Sequence, residues 1–155
     1  MYRHRYAYQI QYYALMWRYF VLRMLIDLAE HKSLGFISLK DISQRQGISR
    51  KYLEQIVTLL SNPDILRSNR GNKGGYMLAK EPNQYIIGEI LTITEGSLSP
   101  VSCLEDEPNR CERNIFCKTL PIWQGLENVI NNYLYNFTIQ DILDNYKELT
   151  PRRHT

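Results

Sequence analysis

"SLKDISQRQGISRKYLEQIVTLLSNPDILRSNRGNKGGYMLAK", residues 38–80, decides the fold. Ser38 is placed to cap a short helix, with Asp41 three residues on, near that helix's positive end. Leu39 and Ile42 face a core from it. Gly47 then supplies a turn, because glycine adopts positive φ without a side-chain clash. Ser49 caps a second helix, in which Leu53, Ile56, Val57 and Leu60 make one apolar stripe. Two short helices joined by a glycine turn are the helix-turn-helix pattern, although an ordinary helical pair reads alike. Beyond them, an alternating run from Ile65 to Asn69 meets a Gly-rich basic turn. A second run, Tyr76 to Ala79, follows, so the segment reads as a β-hairpin with a positive tip. The whole stretch is then a winged helix. Its second helix enters the major groove of DNA, and the hairpin tip reaches the neighbouring backbone or minor groove. Arg67, Arg70 and Lys73 are the candidate contacts of that tip, against the bland reading of a solvated loop.

The charge distribution agrees. Net charge is only +3 over 155 residues, but residues 1–80 hold 13 Lys/Arg against 5 Asp/Glu, and residues 81–155 hold 6 against 11. A basic half joined to an acidic half points the first half at a polyanion. With 44% hydrophobic and 23% charged residues the chain is globular in composition, and its length fits one domain with an extension. Residues 1–25, "MYRHRYAYQIQYYALMWRYFVLRML", are rich in Tyr, but Arg18 and Arg23 interrupt any membrane-length apolar run and no signal-peptide pattern appears. The expectation is a cytoplasmic protein without a membrane partner. An enzyme is not expected: His4, His31 and His154 are scattered, and "GNKGGY" lies in a hairpin, not at a strand-to-helix turn.

Around the winged segment, residues 18–31 place Leu22, Leu25, Ile26 and Ala29 on one helical stripe. Residues 82–100 suit a short helix bearing Ile86, Ile87, Ile90, Leu91 and Ile93. A longer helix follows, with Ile122, Leu126, Val129, Ile130 and Leu134 at helical spacing. Its apolar face needs a cover, either its copy in a second chain or its own domain. Between the two lies "CLEDEPNRCERNIFC", residues 103–117, holding every cysteine in the chain. In a reducing compartment, three clustered thiols are metal ligands or redox groups more readily than disulfide partners. Four readings stay open on the residues: iron–sulfur ligands, direct redox thiols, zinc ligands, or an inert loop. Gaps of seven and five lack the Cys-x2–4-Cys pair of structural zinc. Glu105, Asp106, Glu107 and Glu112 would raise nearby thiol pKa values, against reactive thiols.

"ISLKDISQRQGISRKYLEQI", "LRSNRGNKGGYMLAK" and "GEILTITEGSLSPVSCL", with the cysteine loop and Trp123, resemble the IscR/NsrR/CymR-type bacterial transcriptional regulators, the Rrf-two family. The resemblance spans roughly residues 18 to 145. It implies a mainly α fold with a small β-hairpin, a winged helix-turn-helix domain (18–97), a cysteine-containing sensor loop (98–120), and a dimerisation helix with a C-terminal helix packing on the domain (121–150). Residues 1–17 form an extension of unclear role. The implied protein is a homodimeric repressor on a palindromic double-stranded DNA operator. Its implied cofactor is an iron–sulfur cluster, 2Fe–2S or 4Fe–4S, held by Cys103, Cys111 and Cys117 with the fourth ligand unidentified. The implied DNA contacts are Ser49, Lys51, Glu54 and Gln55 on the recognition helix, with Arg70 in the minor groove and Lys73 on a phosphate. The alternative within the family is a cluster-free regulator that senses thiol oxidation or a protein partner such as a cysteine-synthesis enzyme.

Overall fold

The computed structural model describes residues 3–61, 64–71 and 74–145, with side chains from 17 to 144. In chain order the elements are α1 (Arg3–Glu30), α2 (Leu39–Gln46), α3 (Arg50–Leu59), β1 (Leu66–Asn69), β2 (Gly75–Leu78), α4 (Ile87–Glu95), α5 (Leu120–Leu134) and α6 (Ile139–Asn145). Single 3₁₀ turns punctuate the connections. The fold is mostly helical with one two-stranded antiparallel sheet, as expected.

Local chemistry places α2 and α3. Ser38 Oγ accepts from the Asp41 N–H at 3.2 Å, and Ser49 Oγ accepts from the Tyr52 N–H at 3.3 Å. Gly47 closes α2 at φ +64°, the left-handed conformation that a glycine reaches most cheaply. Leu53, Ile56 and Val57 then turn one face of α3 into the core.

On α1 the buried arc differs from the expected one. Val21, Met24, Leu25 and Leu28 are fully enclosed, whereas Leu22 and Ile26 are half-buried. The cause is Asp27, which is itself fully buried. Its carboxylate accepts Arg45 Nε at 2.9 Å, Arg45 Nη2 at 2.7 Å and Gln46 Nε2 at 2.9 Å. Burial alone would raise the Asp27 pKa. The hydrogen bonds from Arg45 and Gln46, helped by the charges of Arg45 and His31, prevail and hold it below the usual carboxylate range. An acid with that many donors can face inward, so the helix turns toward it. This pair fastens α1 to the end of α2.

The hairpin pairs Leu66 with Leu78, Arg67 with Met77, Ser68 with Tyr76 and Asn69 with Gly75. Ile37 adds a third short edge, exchanging backbone hydrogen bonds of 2.9 and 2.8 Å with Tyr76. That approach requires Gly75, because a Cβ there would stand 2.3 Å from the Ile37 carbonyl oxygen. The base of the hairpin is stapled by Tyr85. Its buried hydroxyl donates to the Ile65 carbonyl at 2.7 Å and accepts from the N–H groups of Ala79 and Lys80 at 2.9 and 3.0 Å. The hairpin is thus a rigid appendage of the helical core.

Ile87, Ile90 and Leu91 carry α4 into the core; Ile93, expected there, is half exposed instead. After α5 the chain returns. Ile87 N–H bonds the Phe137 carbonyl at 2.9 Å, Ile139 N–H bonds the Tyr85 carbonyl at 3.0 Å, and fully buried Ile139 seats α6 against the domain. No helix among the described residues is long and apolar enough to cross a membrane.

Candidate nucleic-acid interface and cysteine loop

With Leu53, Ile56, Val57 and Leu60 inward, the outer face of α3 presents Lys51, Glu54, Gln55 and Thr58. These positions follow the i, i+3, i+4, i+7 spacing of a single helical stripe. Three are the residues expected to meet DNA bases. Thr58 was not singled out, although seven residues past Lys51 was the signal for it. Its hydroxyl donates to the Glu54 carbonyl at 2.8 Å. Ser49 lies at the head of this face but serves as the cap of the helix. Lys and Gln donate to purine edges and Glu accepts from cytosine, so the stripe has the chemistry of base readout.

Arg70 follows β1 directly and is exposed at the hairpin tip, beside Gly71 at φ +117°. The tip closes through a hydrogen bond from the Gly74 N–H to the Gly71 carbonyl at 2.8 Å. Lys73 lies outside the described residues. Arg67 projects from β1 into solvent. Because Ile37 and Tyr85 fix the hairpin, Arg70 and the α3 stripe keep a set relation to one another.

The loop between α4 and α5 holds the three thiols. All are free and half-buried. Cys103 sits in the turn Ser102–Leu104, and the Cys111 N–H donates to Asn109 Oδ1 at 2.9 Å. Cys117 ends the turn Asn114–Phe116, its sulfur 3.4 Å from Thr119 Oγ1. The surrounding acids were expected to raise the thiol pKa values. At Cys117 the pKa is lowered instead, first by the Thr119 side chain, with backbone N–H groups of Thr119 and Leu120 and the charge of Arg113 adding to it.

As a donor set, three unpaired thiols within one loop suit an iron–sulfur cluster. Their present arrangement is not a finished site. Among the described residues no three His, Cys, Asp or Glu side chains are grouped to hold a metal ion. The loop is pinned to α5 at its start, where the Ser99 hydroxyl bonds Glu127 on α5 and the Leu104 carbonyl.

Helix α5 splits its apolar residues between two faces. Ile130 and Leu134 pack against the core. Ile122 and Val129 stand 71% and 64% exposed, with Leu126 and Tyr133 on the same stripe. Of the two covers considered for this helix, its own domain takes Ile130 and Leu134, and Ile122, Leu126 and Val129 remain bare.

Comparison with known proteins gives a consistent answer. Residues 18–145 match the family model Rrf2, described as an iron-dependent transcriptional regulator. Protein rrf2 of Nitratidesulfovibrio vulgaris is 38% identical over 121 residues, 78% of this chain and 80% of that protein. The HTH-type transcriptional regulator IscR of Pectobacterium atrosepticum is 36% identical over 132 residues, 85% of this chain and 79% of that one. Among solved structures, T. potens IscR superposes with TM-score 0.67 at 31% identity, covering 89% of this chain and 90% of its own. CymR, described as the global cysteine regulator of B. subtilis, gives TM-score 0.67 at 32% identity, covering 85% and 95%. The IscR relative and CymR are named as regulators, not as enzymes.

Proposed function

The chain belongs to the Rrf2 family of transcriptional regulators, and on that premise we propose a homodimeric repressor whose hold on a palindromic operator follows an iron–sulfur cluster. Cys103, Cys111 and Cys117 are the ligands of that cluster. One observation carries the reading: every cysteine is unpaired and lies in the loop joining the last helix of the DNA-reading domain to the helix with the bare apolar face.

When bound, the cluster supplies a centre that gains or loses electrons and is itself lost under oxidative or nitrosative attack. The chain does the rest. Lys51, Glu54 and Gln55 read base edges in the major groove, and Arg70 enters the minor groove beside them. The stripe Ile122–Leu126–Val129 meets its copy in a second chain, as symmetric dimers do. Two such domains place operator half-sites about one helical turn apart. Residues 96–119 are the covalent link between α4 and α5, so the shape of the loop sets the spacing of the two readers. A coupling of ~1–3 kcal/mol through that link would change operator affinity roughly 5- to 150-fold.

Anaerobic purification tests the cofactor. The expected product is brown, with iron and sulfide in equal amounts, and Cys103→Ala is colourless. A colourless wild type that still regulates sinks the cluster reading. A cluster-free thiol sensor is the second reading, and the lowered pKa of Cys117 favours it, since the thiolate is the reactive form. It predicts operator binding that responds to peroxide and ignores reconstitution with iron and sulfide.

A further inference from the structure

The outer face of α3 changes character along its length. Its first two turns carry Lys51, Glu54 and Gln55, all polar and exposed, and its last carries Thr58 and Leu59. Leu59 is 45% exposed, although Leu53 and Ile56 of the same helix are fully buried. A single bare leucine is ordinary on a protein surface. This one, however, lies next to the reading stripe, four residues past Gln55, and so gives the far end of that stripe an apolar flank. Thr58 stands seven residues past Lys51, about 10 Å along the helix at 1.5 Å per residue. With bases of one strand about 3.4 Å apart, that is roughly three base steps. Homeodomain helices read bases from four positions at this same i, i+3, i+4, i+7 spacing.

The chemistry open to Thr58 is narrowed by its own helix. A threonine hydroxyl has one proton to donate. In Thr58 that proton goes to the Glu54 carbonyl at 2.8 Å. Donating to DNA would break this bond, so a base is left with a methyl group and an accepting lone pair. Guanine presents only the acceptors N7 and O6 in the major groove and gains nothing from either. Thymine presents its C5-methyl, and a threonine methyl is one of the groups that packs on it. The Leu59 side chain favours that apolar contact over acceptance by the lone pair, because a polar base edge placed against it loses water without return.

We propose that Thr58 reads the C5-methyl of a thymine in each half-site, roughly three steps from the base pair that Lys51 reads. The proposal rests on the regulator reading above, which gives bases to Lys51, Glu54 and Gln55 and none to Thr58. The test uses the full chain and the duplex that the wild type itself selects from a random pool. Each thymine is replaced in turn by deoxyuridine (dU), in both half-sites together, which removes the methyl and leaves base pairing unchanged. The position is located from Lys51→Ala, which changes the preference at its own base pair. Roughly three steps away, dU should cost the wild type about fourfold per half-site, the worth of one buried methyl. Thr58→Ser keeps the hydroxyl and its helix bond, and should bind the dT and dU duplexes alike. Thr58→Val keeps a methyl and lacks the hydroxyl, and should still lose affinity on dU. A wild type indifferent to dU there, or a half-site with no thymine there, overturns the proposal. So does discrimination that persists in Thr58→Ser or vanishes in Thr58→Val. Each of these leaves the regulator reading standing. Failure of the wild type to select any duplex defeats that reading and the methyl contact together.

Discussion

Arg45→Ala probes the joint on which the DNA reader stands. In the wild type the Asp27 carboxylate is fully buried and accepts three hydrogen bonds, two of them from Arg45. The substitution leaves a buried charge with Gln46 as its one remaining donor of the three. Removing one partner of a buried pair costs ~3–5 kcal/mol. The Arg45 side chain is 30% exposed, so water can reach the vacated position and the lower end, about 3 kcal/mol, is expected. For a chain of this size that corresponds to a fall in Tm of roughly 6–12 °C. The pH dependence adds a second signature. The wild-type Asp27 pKa is depressed, so its contribution to stability is fully present above the unfolded carboxylate range and is lost as pH falls through the folded value. In the variant, burial is opposed far less and the folded pKa rises, so protonation relieves the penalty. The stability gap between the two proteins should therefore narrow steadily as pH drops toward about 4. Urea unfolding from pH 7 down to 4 measures both effects. A gap below about 1 kcal/mol at neutral pH, or one that widens in acid, refutes the reasoning.

Four further outcomes follow from the same geometry. Arg70→Ala should weaken operator binding by about 1–3 kcal/mol, most where the minor groove is narrow, as titrations on duplexes differing only in an A-tract will show. Lys51 or Gln55 substitutions should shift which base is preferred, which selection from random duplexes reads directly. Gly75→Ala places a Cβ 2.3 Å from the Ile37 carbonyl oxygen, so the wing edge must part. Thermal unfolding should register a loss of about 1–3 kcal/mol, with DNA affinity falling alongside it. Val129→Asp puts a charge in the middle of the bare α5 stripe. Sedimentation should show a monomer, and operator binding should collapse while the far-UV spectrum is kept.

Much of this architecture was legible because the signals were local. Ser38, Gly47 and Ser49 fix the boundaries of α2 and α3 through their own backbone chemistry, and each does so in the structure. The hairpin was read from its glycines and alternation. What escaped was set by tertiary partners. Asp27 was not singled out in the sequence, and only Arg45 and Gln46, eighteen and nineteen positions on, turn it inward and rotate the buried face of α1. Tyr85 gave no hint that its hydroxyl would bind three backbone groups of the hairpin base. The charge argument misjudged Cys117, because a neighbouring hydroxyl and two backbone N–H groups act at shorter range than the acids of the loop. On α5 the periodicity identified the apolar residues but could not tell those that pack on the domain from those left bare. The outward stripe of α3 was recoverable in full, Thr58 included, from spacing alone.

Operator affinity measured under argon on the same protein in two forms, reconstituted with iron and sulfide and stripped of both, addresses the central claim most directly. The account predicts curves separated by tenfold or more, about 1.4 kcal/mol, with Cys103→Ala fixed on the stripped curve whatever is added. Superimposed curves for the two wild-type forms would contradict it.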